Sequence, residues 1–254
     1  NILSAIIGII PISYILGSFI LNLNVLIIII IGLFLYIEGK RFKINIFDKL
    51  ILIFFSYVLL TGIINTIELT LNENIELNDY TIIIKSFLFL RYLLLYLSIR
   101  ILIYNDLLNF KNIFFFFSLA SIFVSLDVIF QFFNGKNLFG LTSPYLRKTT
   151  GVFYDEAIAG GFIQRFSLFA FFLLATITSI KKNNIKIFIL SLIFLVTLMS
   201  IIFSGNRMPL VLFVTSIILI VIYNETLKKY FLRIIASMIL ICLVIINYNP
   251  VLKD

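Results

Sequence analysis

The chain has 254 residues, 62% of them hydrophobic and only 13% charged, with a mean hydropathy of +1.16. That balance excludes an ordinary soluble domain, and the net charge of +8 is distributed as a membrane-topology signal, not as a nucleic-acid footprint. There is no histidine, which removes His-based acid–base, nucleophilic and metal chemistry from these residues. The lone Cys242 reads as a small apolar filler within a span.

A membrane-crossing helix needs about 20 predominantly apolar residues. Taken in chain order, such segments run over 3–21, 24–37, 50–67, 81–104, 112–133, 156–179, 185–203, 208–223 and 230–248. They predict an all-α, polytopic transmembrane helical bundle of about nine spans, one transmembrane domain covering 1–254. Unbroken apolar runs at 26–31 and 114–117 exclude a β-barrel, whose strands alternate in polarity. The second segment is short and is expected to form a tight hairpin with the first through Asn22 and Asn24.

The cations orient these segments. With a cytoplasmic N-terminus, twelve of them fall on the cytoplasmic side: Lys40, Arg41, Lys43, Lys49, Arg100, Lys111, Lys181, Lys182, Lys186, Lys228, Lys229 and Arg233. Four lie opposite, Lys136, Arg147, Lys148 and Lys253, a clear positive-inside bias. The first sizeable outer link carries Glu68, Glu73, Glu76 and Asp79 and no cation. A multi-pass membrane protein with a cytoplasmic N-terminus is the expectation.

Four cations remain within or beside apolar segments: Lys85, Arg91, Arg165 and Arg207. A charge at membrane depth costs roughly 2.5–3.5 kcal/mol even on insertion scales, so each marks a candidate functional position. Lys85 and Arg91, six residues apart, do not share a helix face. Asp127 and Gln131 do share one, at the outer end of the fifth segment, and a loop of about twenty residues follows at 134–154. Asp155 and Glu156 then sit where the sixth segment begins, and a helix-capping role suits their charge. Arg165 lies nine residues after Glu156, roughly 13 Å down a helix. In Ser204-Gly205-Asn206-Arg207-Met208-Pro209, Gly205 permits a tight turn and Pro209 fits a first helical turn. Arg207 is thereby placed beside free amide donors, a phosphate-binding arrangement.

The stretches DVIFQFFNGKNLFG (127–140), RKTTGVFYDEAIAGGFIQRF (147–166) and FSGNRMPL (203–210) resemble the O-antigen ligase and O-antigen polymerase family of bacterial envelope polysaccharide glycosyltransferases. The resemblance covers about residues 81–223 and lies in the order and spacing of an aromatic-rich outer loop, a Gly-x-Phe segment, a helix bearing a basic residue and a Ser-Gly-x-Arg turn. It implies a C-type glycosyltransferase-like bundle acting in lipopolysaccharide biosynthesis, with its active face in the periplasm. The implied reaction passes a glycan from undecaprenyl pyrophosphate to an acceptor sugar, lipid A core for a ligase or another glycan repeat for a polymerase. No metal, nucleotide sugar or other cofactor is implied. Carried over by position, Arg165 and Arg207 would grip the pyrophosphate and Arg91 with Lys85 would complete the basic lining. Asp127, Asp155 and Asn206 would support them. The family keeps its histidine-bearing outer loop beyond the corresponding ninth span. Because the chain starts at Asn1 instead of Met and stops at Asp254, both ends read as cut, and the general base is expected beyond Asp254. The alternative is a polytopic transporter or flippase for an anionic or lipid-linked substrate, which would also keep cations at membrane depth.

Overall fold

The structure is a computed structural model and describes residues 2–71, 81–176 and 183–223. The expected ninth segment, 230–248, with Cys242, lies outside the described residues, as do Glu73, Glu76 and Asp79. Among the described residues the chain is all-helical, apart from an isolated antiparallel bridge between Lys136 and Thr142. Four helices are long and apolar enough to cross a membrane, as in a multi-pass membrane protein: Ser18–Ile37, Ile46–Glu68, Thr81–Tyr104 and Phe110–Asn134. Two compact units, 1–110 and 111–254, divide the chain.

In the first unit, α1 (Ile2–Gly8) and α2 (Ile10–Ile15) precede α3 (Ser18–Ile37), α4 (Ile46–Leu71) and α5 (Thr81–Tyr104). The first apolar segment is thus broken: Pro11 sits in the opening turn of α2, where its missing N–H costs no helical bond. The hairpin expected at Asn22 and Asn24 forms instead at Gly17, whose φ of +113° is accessible to glycine and strained for other residues. Asn24 is buried in α3 and donates its amide to Ser13 Oγ at 2.8 Å across the hairpin, so a polar residue that looked like a turn signal is a helix-to-helix strap.

Small residues set the close approaches within this unit. A Cβ added at Gly32 of α3 would collide with Ser98 of α5, and one at Gly62 of α4 with Ser86 of α5. Lipid is as apolar as the side chains, so intimate van der Waals packing, not water exclusion, drives such association. Phe55 of α4 lies 5.3 Å from the Phe89 ring of α5, which meets Tyr92 edge-on at 5.4 Å. At one end of the unit Asp48 in the first turn of α4 takes both Nε and an Nη of Arg100 of α5 at 2.9 and 3.0 Å. Asp48 also accepts from the Tyr96 hydroxyl and from the Asn45 N–H, the latter capping α4. This fork-to-fork pair fixes the antiparallel register of α4 and α5.

The second unit contains α6 (Phe110–Asn134), α7 (Ala159–Thr176), α8 (Asn183–Phe203) and α9 (Arg207–Tyr223). Phenylalanines join them. Phe117 of α6 meets Phe166 and Phe169 of α7 edge-on, with centroids 5.3 and 4.7 Å apart. Phe132 near the end of α6 stacks on Phe203 at the end of α8 at 3.9 Å. Phe194 of α8 stacks on Phe213 of α9 at 5.6 Å. The edge-on contacts and the wider Phe194–Phe213 stack each add about 0.5–1.5 kcal/mol beyond area burial.

Candidate functional site

The segment between α6 and α7 is a built structure, held to the helices at both sides. On the α6 side, Asp127 and Gln131 face it as their spacing predicts, 0% and 2% exposed. Asp127 Oδ1 accepts the Leu138 N–H at 2.8 Å. Gln131 Oε1 accepts the Gly151 N–H at 2.7 Å. Asn137 completes the clip: its Oδ1 accepts from the N–H groups of Phe139 and Leu141, and its Nδ2 donates to the Gly151 carbonyl at 2.9 Å. Both backbone groups of Gly151 are therefore held by side-chain amides. Gly151 itself has φ +56°, and a Cβ there would lie 3.0 Å from Val128 and 3.1 Å from Asp127 Oδ2.

A 3-10 turn follows at Gly151–Phe153, and buried Phe153 packs on Phe162 of α7 at 5.4 Å. Helix α7 opens at Ala159 with no acidic residue in its first turn. Asp155 and Glu156 are exposed and lie before the helix, so the capping role expected of them is not realised. What holds Asp155 in place is its backbone, whose carbonyl accepts the Tyr145 hydroxyl at 2.9 Å. The later start also shortens the descent to Arg165, which is six residues beyond Ala159, about 9 Å along the axis.

On the other side the segment meets the turn between α8 and α9. Thr149 donates to the Phe203 carbonyl at 2.8 Å, and Asn206 Nδ2 to the Ala157 carbonyl at 2.7 Å. Gly160 of α7 packs against Ser204: a Cβ there would meet the Ser204 hydroxyl and lie 3.2 Å from the Ser204 Cβ. Gly205, at φ +70°, lies under Arg147 and Lys148, with the Lys148 Cα 3.4 Å from where its Cβ would stand. Arg207 then opens α9 with Pro209 in its first turn, as expected from the turn sequence.

Arg147 and Lys148 thus stand beside a turn that leads, two residues after Gly205, to Arg207. Both arginines are exposed, and so is Arg165; among the described residues none of the three forms an ion pair. Lys148 lies over the Tyr145 ring at 5.9 Å. In the sequence Arg147 and Lys148 are simply two cations of the loop. Their place beside Gly205 depends on a contact 54 residues distant in sequence, between Thr149 and Phe203, which no local pattern announces.

Lys85 and Arg91 belong to the first unit. Lys85 is exposed on α5. Arg91 is half-buried near the middle of α5, about 15 Å along the helix from Thr81. Its guanidinium donates to the Tyr92 hydroxyl at 3.1 Å and lies 4.9 Å from that ring, while its Nε is buried without a hydrogen-bond partner. Among the described residues no three His, Cys, Asp or Glu side chains gather as metal ligands would. Comparison with models of known protein families, with curated proteins and with solved structures finds no match to this chain.

Proposed function

We propose that this chain is the membrane-embedded part of an O-antigen ligase or polymerase-type glycosyltransferase, a bundle of about nine spans in the bacterial inner membrane. Its N-terminus is cytoplasmic and its active face periplasmic. It transfers a glycan from undecaprenyl pyrophosphate to an acceptor glycan or lipid A core. The observation that carries this reading is the 135–158 segment pinned between α6 and the Ser204–Arg207 turn, with Arg147, Lys148 and Arg207 brought to that turn and, among the described residues, no acid paired with the arginines. Such an arrangement suits a doubly charged phosphate group presented at a membrane boundary.

The chemistry follows from charge. As the sugar–pyrophosphate bond breaks, negative charge grows on the leaving oxygen. Guanidiniums that meet the leaving oxygen would stabilise that charge with less reorganisation than water needs. Arg207 and Arg165 act as planar forks that take two phosphate oxygens at once. Asn206, tied to Ala157, holds the turn, and Asp127 holds the loop.

The test is glycan transfer by the protein reconstituted in proteoliposomes with an undecaprenyl-pyrophosphate-linked glycan and an acceptor. Arg207→Lys and Arg165→Lys keep the charge but lose the fork, and each should lower transfer at least ten-fold while leaving expression and melting temperature unchanged. Unaltered transfer in both variants would overturn the reading. Movement of the lipid-linked glycan between leaflets without release of undecaprenyl pyrophosphate would assign the chain to the flippase class instead.

A further inference from the structure

The first unit holds a second site that the transfer reaction does not use. A cavity of 470 Å³ opens between α3, α4, α5 and the link that follows α3. Leu33, Leu52, Leu94 and Leu97 make its walls, and Arg41 is the charged residue at its edge. That volume falls in the range of small-ligand pockets, about 300–1,000 Å³. The polar demands within it are already met: the Ser98 hydroxyl donates to the Leu94 carbonyl at 2.8 Å. Arg41 differs. Its guanidinium lies 5.6 Å from the Tyr36 ring and forms no ion pair among the described residues. The nearby carboxylate of Asp48 is committed to Arg100, Tyr96 and the Asn45 amide, and Glu38, on the same link, is exposed and forms no ion pair either.

An apolar cleft among span-length helices with an uncompensated guanidinium at the helix ends is complementary to one kind of occupant. We infer that this cleft binds an anionic membrane lipid, an acyl chain lying among the leucines and the headgroup phosphate on Arg41. Charge complementarity supports that choice: Lys40, Lys43 and Lys49 lie on the same link and the α4 start, where cations meet an anionic leaflet surface. Gly32 and Ser98 both line the cleft, and there α3 and α5 approach so closely that a Cβ at Gly32 would meet the Ser98 backbone. The inference stands independently of the glycosyltransferase reading.

Native mass spectrometry of the full chain, delipidated in detergent, tests it with phosphatidylglycerol and phosphatidylcholine of identical acyl chains. Phosphatidylglycerol should be retained several-fold better. Arg41→Ala should bring the two lipids to parity, whereas Lys49→Ala, at the same end but outside the cleft, should not. A photoreactive group near the acyl terminus of phosphatidylglycerol should label the peptides containing Leu33 or Leu97. Equal loss of selectivity in Arg41→Ala and Lys49→Ala would reduce the effect to diffuse surface charge and overturn the site. So would labelling confined to other helices, or displacement of the lipid by inorganic phosphate alone.

Discussion

Asn137 uses both ends of its amide to close the turn after α6 and to hold Gly151. Removing that amide leaves the Phe139 and Leu141 N–H groups without this acceptor and the buried Gly151 carbonyl without this donor, at about 1–3 kcal/mol for the buried group. Asn137→Ala should therefore open the segment and raise the rate of limited tryptic cleavage after Arg147 and Lys148 by ten-fold or more. Asn134→Ala, which loses one exposed bond to the Phe130 carbonyl, should change that rate little; equal rates in both variants would mean the amide clip does not hold the loop. Gly151→Ala should act in the same direction as Asn137→Ala, because it places a side chain at φ +56° against Val128 and Asp127. Asp127, Gln131 and the Gly-x-Phe segment were legible in the sequence, since a shared helix face and a glycine are local patterns. Asn137 was not: one asparagine in an asparagine-rich chain carries no mark until the backbone groups it must satisfy are in place.

At the scale of the helices, the elements were readable and their faces were not. The segment expected at 81–104 coincides with α5, and 112–133 extends by two residues at its start and one at its end as α6. Each of these helices is apolar nearly all round, so hydropathy gives no stripe by which to orient it. Orientation comes from small residues instead, and two of these contacts make unequal predictions. A Cβ at Gly62 would meet the Ser86 side chain, its Cβ at 2.6 Å, with backbone no nearer than 3.9 Å. A Cβ at Gly32 would also meet the Ser98 Cα, at 2.7 Å. Overpacking a tight interface costs about 1–3 kcal/mol. Both Gly62→Ala and Gly32→Ala should lower the melting temperature in detergent, and Gly62→Ala with Ser86→Gly should restore it. Gly32→Ala with Ser98→Gly should stay destabilised, because deleting the side chain leaves the backbone in the way. Full rescue of the second pair would show that α3 and α5 do not approach as closely as described.

For the whole molecule the decisive quantity is the number of crossings, and it can be counted between two fixed points. The first apolar segment shows why composition overcounts: α1 and α2 together, Ile2–Ile15, reach only about 21 Å if continuous, less than the roughly 30 Å hydrocarbon core. Between Lys43 and Leu146 the count is firmer. Three span-length helices, Ile46–Glu68, Thr81–Tyr104 and Phe110–Asn134, separate them, and an odd number of crossings puts the two residues on opposite sides of a membrane. The link bearing Lys40, Arg41 and Lys43 is rich in cations, and the proposed orientation, which follows the positive-inside bias, puts it in the cytoplasm and the 135–158 segment on the far side. In a chain with Cys242 replaced by Ser, Lys43→Cys should react with a membrane-impermeant maleimide only after the cells are opened. Leu146→Cys, at a fully exposed position, should react in intact spheroplasts. The reversed pattern would keep three crossings and invert the protein, carrying Arg147, Lys148 and Arg207 to the cytoplasmic face and removing the periplasmic donor from their reach. Labelling of both from one side would mean that one of the three helices does not cross, and the arginines at the Ser204–Arg207 turn would then need a reading without a membrane-borne phosphate.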